Sequence, residues 1–258
     1  MSLGPAGAVS TGLLLLWAAG CAGPAPVGRS KGPPGDTASR GDSGPSGDTG
    51  DGAAPGAWVY GAVVDAFSRA PLPGVQAWDA RAPGDIVTTG PDGRWALPVA
   101  SAGRFRLASA APGMLPFDAW ISTAEAPTSG APYAYALGSA AQLGQLAAQV
   151  GSSADLTVSG LIFVDAISPA GHDIGGATVA LDAPYEGVYR EVAPGEWEQE
   201  PLTTEDRADL LFLGVAPGPV ALRVTSPGGA DCDVPEDVVV APGRLIQVSA
   251  YCPDDAAR

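Results

Sequence analysis

From Trp58 onward, short β-branched and aromatic runs alternate with Gly/Pro/Asp clusters, the texture of an all-β protein made of short strands. In the first half these runs predict strands over Trp58–Asp65, Val75–Asp79, Ile86–Thr89, Arg94–Val99, Arg104–Ala108 and Phe117–Ser122. Gly90-Pro91-Asp92-Gly93 punctuates them, and its Asp-Gly pair supplies the dihedrals of a tight hairpin. In the second half the same texture predicts Leu156–Asp165, Ala177–Asp182, Tyr189–Val192, Leu210–Leu213, Val220–Thr225, Asp237–Val240 and Leu245–Tyr251. Between the halves lies Ala136–Val150, rich in Ala, Leu and Gln, where Leu143, Leu146, Ala147 and Val150 fall at helical spacing. This segment predicts one helix, packed across a sandwich edge or bridging the two halves.

The halves read as copies of one unit. Val59-Tyr60-Gly61-Ala62-Val63 matches Val158-Ser159-Gly160-Leu161-Ile162, with Asp65 and Asp165 following, and Pro73-Gly74-Val75-Gln76-Ala77 matches Gly175-Gly176-Ala177-Thr178-Val179. One ungapped register pairs Thr88-Thr89 with Thr203-Thr204, Trp95 with Leu210, Leu97 with Phe212, Gly103 with Gly218, Phe105 with Val220 and Leu107 with Leu222. Apolar positions that agree at period two are what homologous strands require. The expected architecture is therefore two tandem small β-sandwiches of Greek-key type, residues 57–135 and 153–253, with a connecting helix at 136–152.

Upstream the chain changes character. Residues 22–56 are built from Gly, Pro, Ser, Thr and Asp and offer almost no apolar surface to offset ordering entropy, which predicts a flexible tether. The regular Asp spacing invites a calcium reading, but no Glu follows to anchor an ion, and a solvated spacer fits better. Before the tether runs Leu13-Leu14-Leu15-Leu16-Trp17-Ala18-Ala19-Gly20-Cys21, too short to span a bilayer but suited to a secretory signal with a small-residue cleavage site. Ala19-Gly20-Cys21 resembles the lipobox of bacterial lipoproteins. The resemblance implies a signal peptide over 1–20, a diacylglyceryl group on the Cys21 thiol, and an acylated N-terminus after cleavage. A multiply acylated cysteine is a stable anchor where a single chain is marginal. Ala22 after the cysteine, where Asp is associated with inner-membrane retention, implies the outer membrane.

Given a lipidated Cys21, Cys232 and Cys252 remain as an even pair in an oxidising compartment, which predicts a disulfide. The alternative, a metal pair, lacks His or Cys partners nearby.

The β units resemble the carboxypeptidase regulatory-like domain, a small transthyretin-like (Ig-like) sandwich. The matching pattern is Gly61 in the first strand, Pro71–Val75 at the second, Thr88, then Asp92–Leu97 and Gly103–Leu107. The first copy matches over about residues 57 to 122. The second replaces the Asp-Gly turn with Arg207-Ala208 and inserts an acidic loop, Tyr185–Pro201. The resemblance implies a fold and a non-catalytic accessory or adhesion-like module, sometimes grouped with starch-binding-like folds, and no peptidase activity.

Charge narrows the partners. A net charge of -15 argues against nucleic acid, which demands a Lys/Arg surface, and against electrostatic docking on anionic lipid. The one histidine, His172, lies in a Gly/Pro-flanked loop, so neither a catalytic triad nor a zinc or two-His iron centre is expected. Glu186, Glu191, Glu196, Glu198 and Glu200 read as a solvated acidic insert rather than a glycosidase carboxylate pair. No metal, cofactor or catalytic residue is expected.

Aromatic residues supply the remaining candidate chemistry. If Val59, Gly61 and Val63 face the core, alternation turns Trp58 and Tyr60 outward, and Trp78 follows by the same rule. Trp95 and Phe105 belong to the core, because their repeat counterparts are Leu210 and Val220. Trp58, Tyr60 and Trp78 are either covered by the helix or the other unit, the preferred reading, or form an open platform for sugar rings or a protein. The expected function is a membrane-tethered envelope lipoprotein with a structural or binding role. The alternatives are a carbohydrate-binding module using that aromatic face, and an accessory subunit docking on an envelope protein through the helix. Exposed rings would favour the first alternative and an exposed Leu143/Leu146 stripe the second.

Overall fold

The computed structural model describes residues 57–99, 103–123, 133–168, 173–193, 196–199 and 209–253. The signal, Cys21, the tether and His172 lie outside them. The first unit holds β1 (Ala57–Asp65), β2 (Gln76–Asp79), β3 (Val87–Thr88), β4 (Arg94–Val99), β5 (Arg104–Ala110), β6 (Phe117–Ser122) and β7 (Tyr133–Leu137). Helix α1 (Ala140–Gln149) follows. The second unit holds β8 (Gly160–Ile167), β9 (Thr178–Leu181), β10 (Gly187–Ala193), β11 (Glu196–Gln199), β12 (Asp209–Val215), β13 (Gly218–Pro219), β14 (Leu222–Thr225), β15 (Val239–Val240) and β16 (Leu245–Tyr251). Among the described residues the chain is all-β apart from this helix.

The two sandwiches are fused rather than merely tandem. One nine-stranded sheet runs β11-β10-β12-β8-β16-β6-β5-β2-β3 through both units. Its seam is β16, which pairs parallel with β8 of its own unit and with β6 of the first, Ile246 opposite both Ile162 and Asp118. Smaller sheets complete the layers: β4-β1-β7 in the first unit, and the pairs β14-β9 and β13-β15 in the second.

The cores lie on opposite faces of the shared sheet. On β6, Phe117, Ala119 and Ile121 enter the first core with Val59, Trp95, Leu97, Phe105 and Leu107. Trp120, on the other face of the same strand, enters the second core with Ile246, Val248, Ile162, Val164, Leu210 and Phe212. A period-two strand buried on both sides serves two cores at once. Each small sheet therefore covers one half of the large sheet, from opposite sides.

The ladders repeat between units. Gln76 pairs with Ala110 and Asp79 with Leu107 in the first, as Thr178 pairs with Thr225 and Leu181 with Leu222 in the second. The first strand of each unit pairs parallel with the last, Val63 with Tyr135 and Ala166 with Ala250. The register of β4 onto β12 and of β5 onto β14 agrees with the sequence match, but that of β1 onto β8 does not. Leu97 faces Val59 while Phe212 faces Ile162, and Trp95 faces Gly61 while Leu210 faces Val164. Gly61 thus corresponds to Val164 and not to Gly160, which sits opposite Val215 beyond a bulge. The sequence match slipped by an even number of residues, and an even slip leaves the inward and outward faces unchanged.

The helix begins later than its sequence pattern suggested. Residues 133–137 form a strand parallel to β1, with Tyr135 buried and stacked on Phe117 at 4.6 Å between ring centres. Ser139 caps the helix in a full capping box: its hydroxyl accepts from Gln142 N–H (3.2 Å), and the Gln142 side chain accepts from Ser139 N–H (2.7 Å). Leu143, Leu146 and Ala147 are buried against Leu161, Phe163, Tyr189, Leu211 and Leu213 of the second unit, with Phe67 and Leu115 of the first packed at the margin. The helix therefore bridges the units. Gln142 Nε2 donates to Asp65 Oδ2 at 3.3 Å, tying the helix to the end of β1.

Candidate functional site

Three groups of residues were marked out by sequence: the aromatic rings, the cysteine pair and the acidic insert. The fold separates them.

Trp58 and Tyr60 stand side by side on the outer face of the β4-β1-β7 sheet, two residues apart on β1. They are 49% and 39% exposed. Trp58 is paired across the ladder with Pro98, Tyr60 with Ala96 and Ala62 with Arg94. Trp78 also points away from the first core, but it belongs to the other layer, on β2 opposite Ala108 of β5, and is half-buried. Val59 and Ala77 meet in the core between those layers. The three rings therefore do not make one platform. Contrary to the covered reading, Trp58 and Tyr60 stay open, because the helix and the second unit occupy other sides of the first sandwich. Trp95 and Phe105 are buried, as their repeat counterparts Leu210 and Val220 implied.

The outer side of the first unit's half of the large sheet meets the second unit in a polar corner. Asp118 is fully buried and accepts from Arg106 Nη2 at 3.0 Å and from Arg244 Nη1. The Arg106 guanidinium lies 4.9 Å from the Trp120 ring centre, and Trp120 Nε1 donates to Asp237 Oδ1 at 2.9 Å. Arg104 donates to the Asp233 carbonyl at 3.0 Å. A buried carboxylate between two guanidiniums is a charge held by partners, and these bonds join β5 and β6 to loops of the second unit. Sequence reading missed this corner because its members are far apart in the chain and carry no local pattern.

Cys232 and Cys252 form a disulfide with S–S 2.02 Å. It closes the second core beside the bridge between Asp233 and Tyr251, whose backbone groups exchange hydrogen bonds of 2.8 and 2.9 Å. Cys252 N–H also donates to Ile167 O at 2.8 Å, which ties the end of β16 to β8, while the disulfide ties it to the segment that carries Cys232.

The described residues of the acidic insert fold as the β10-β11 hairpin at one end of the large sheet, and Glu200 lies outside them. Glu186 accepts from Ser153 Oγ at 2.8 Å, and Glu198 pairs with Arg190. These contacts fasten the hairpin and do not converge on a cleft. Asp65 is a heavily bonded carboxylate at the end of β1. Burial alone would raise its pKa, but hydrogen bonds from Ser68 N–H, the Gln142 amide, the Ser68 hydroxyl and Phe67 N–H outweigh it and hold the group below its ordinary value. Among the described residues, no group of three His, Cys, Asp or Glu side chains is placed to hold a metal, and no helix is long and apolar enough to cross a membrane.

No protein-family model matches the chain, and no curated protein matches it either. Solved structures similar to it include the Bacillus anthracis TIE protein (14% identity, TM-score 0.22), where the match covers 75% of this chain and 33% of that one. A Streptococcal ancillary pilin matches at 10% identity and TM-score 0.23, over 75% of this chain and 62% of that one. The shaft pilin SpaA from Lactobacillus rhamnosus GG matches at 10% identity and TM-score 0.21, over 75% and 96%. The chain spans about a third of the length of the Bacillus anthracis protein. At such identities and scores the likeness transfers neither activity nor partner.

Proposed function

We propose that this chain is a non-catalytic outer-membrane lipoprotein, anchored by acyl groups on Cys21, that ties a rigid two-unit β body to the membrane through the 22–56 tether. The units are of the carboxypeptidase regulatory-like type, and their role is structural or binding.

The observation that carries this reading is the shared nine-stranded sheet. Two sandwiches on a short linker would move independently, as domains with small interfaces do. Here backbone pairing through β16, the polar corner around Asp118 and the bridging helix turn both units into one stiff object. The polar side chains that join the units serve each other. That suits a display or spacing element better than a reaction centre. Leu143 and Leu146 are buried, so the apolar stripe named for the accessory-subunit alternative is not open to a partner.

The test is mass spectrometry of the N-terminal peptide from protein extracted from the envelope. A peptide beginning at Cys21 and carrying a diacylglyceryl and an acyl group is expected. A Cys21→Ala chain is expected to keep its apolar N-terminal segment uncut and to carry no lipid. An unmodified N-terminus in the envelope protein, or an unlipidated Cys21, sinks the reading.

A further inference from the structure

We propose that the Trp58–Tyr60 face of the small sheet rests on the interfacial layer of the bilayer to which the chain is tied, so that the first unit lies against the membrane and the second is carried away from it. The inference rests on the lipoprotein reading for its anchor, but it concerns a different part of the molecule.

The face has the right composition. Its outward positions include Trp58, Tyr60, Ala62, Ala96, Pro98 and Ala134, and the one charged side chain among them, Arg94, is paired with Asp92 at 3.6 Å. On a chain of net charge -15, none of these outward strand positions carries a carboxylate; Asp65, at the end of β1, is buried. It can approach a lipid surface without like-charge repulsion there. Trp and Tyr place an apolar ring and a polar tip at the same depth, which is why they collect at membrane–water boundaries.

The tether argues for this occupant over others. It joins the sheet at Ala57, the residue before Trp58, so the aromatic end of β1 is where the chain arrives from the anchor. A Gly-rich segment of about 35 residues has a root-mean-square span of roughly 30–35 Å. Tethering at that range turns a weak contact into an intramolecular one, at an effective concentration that short flexible linkers bring to about the millimolar range. A second protein is the poorer fit. Three strands about 4.8 Å apart and roughly 20 Å long present on the order of 300 Å², well under the ~800 Å² each partner gives to a stable interface.

The experiment exploits the cysteine count. With Cys232 and Cys252 joined, Cys21 is the remaining thiol of the three. The chain from Cys21 to Arg258 is coupled through that thiol to maleimide lipid in vesicles of a saturated phosphatidylcholine. Indole oxidation by N-bromosuccinimide is then followed residue by residue by mass spectrometry. Trp58 is expected to oxidise at least threefold more slowly on vesicles than in the uncoupled chain, while half-buried Trp78 keeps its rate. A Tyr60→Ala chain should lose most of the Trp58 protection.

Equal Trp58 rates on and off the vesicles overturn the proposal. So does protection of Trp58 by a soluble neutral polysaccharide with none by the vesicle, which assigns the face to sugar instead. Chemical coupling makes the result independent of whether the cell acylates Cys21, which the envelope peptide decides separately.

Discussion

Gly61 and Trp95 face each other across the β1–β4 ladder, and the indole of Trp95 occupies the space where a Gly61 side chain would stand. A Cβ built on Gly61 would lie 2.0 Å from Trp95 Cζ2. Trp95 belongs to the first core and Gly61 is buried beneath it, so the ring has little room in which to yield. The second unit solves the same position with the opposite distribution of volume, Val164 opposite Leu210. The Gly61→Ala chain is therefore expected to lose about 1–3 kcal/mol to overpacking, measured by denaturant unfolding. Gly61→Val combined with Trp95→Leu should recover part of what Gly61→Val alone loses. Strict additivity of the two changes in a double-mutant cycle would show that the ring and the glycine are not coupled.

Reduction of the disulfide tests how the second core is closed. Cys232 and Cys252 are buried and separated by 20 positions in sequence. Removing a cross-link over a loop of this size is expected to cost about 2–4 kcal/mol. The Cys232→Ser/Cys252→Ser chain should melt well below the native one, and added reductant should lower the native melting point but leave that of the variant unchanged. Equal melting points for native and variant chains would count against a stabilising bridge.

Sequence made strands legible through β-branched and aromatic runs bounded by turn residues, whether one face of the strand is wet or both are dry. Arg94–Val99, Phe117–Ser122 and Leu245–Tyr251 form the strands expected of them, and Gly93 sits at φ 72° in its turn, donating to Gly90 O at 2.9 Å. The strand over 133–137 was hidden because Tyr133-Ala134-Tyr135-Ala136-Leu137 runs straight into an Ala-rich helix. The capping box at Ser139 and Gln142 was the signal that divides them. The fusion of the units was hidden for another reason. Pairing of β16 with β6 is a long-range choice that no local pattern encodes, and its trace is indirect: Ile246, Gln247, Val248, Ser249 and Ala250 are all buried, a strand dry on both faces. The aromatic site was half legible. Alternation assigned Trp58, Tyr60 and Trp78 to outward positions, but period two says nothing about which of two layers a strand occupies.

Asp65 gives the first unit an acid-sensitive joint. Its carboxylate accepts from Ser68 and Phe67 in the turn after β1 and from Gln142 on the helix, and its pKa is held below the ordinary carboxylate value. A group depressed in the folded state contributes stability above its unfolded pKa and loses it as pH falls through the folded pKa. Stability is thus expected to begin falling near pH 4, the ordinary carboxylate range, and to go on falling below it. The Asp65→Asn chain should be less stable at pH 7 and should show a smaller decline over that acidic window. Urea midpoints measured from pH 7 downward decide it, and parallel declines for both chains would remove Asp65 as the source.

Pro98 guards the open edge of the small sheet. β4 is the outer strand of β4-β1-β7, and Val63 N–H donates to Gly93 O at 2.9 Å, which fixes the alternation along the ladder. By that alternation Trp95, Leu97 and Val99 direct their backbone groups to β1, whereas Arg94, Ala96 and Pro98 direct theirs outward. Arg94 spends its N–H on Asp92 Oδ1 (3.1 Å) and its carbonyl on Gly90 N–H (3.0 Å), and proline has no N–H to give. Ala96 is left as the one strand residue with an outward N–H, too little to template another strand. In the second unit the corresponding edge, along β12, is covered instead by the β10-β11 hairpin, with Leu213 standing where the first unit has Pro98 and pairing with Gly187. Pro98→Thr restores a β-forming residue with its donor at the bare edge. The variant is expected to self-associate at concentrations where the native chain stays monomeric, as read by sedimentation velocity, and its assemblies should gain intermolecular β signal in the infrared. A Pro98→Thr chain that sediments as the native one does over the same range would show that the edge is protected by something other than the missing N–H.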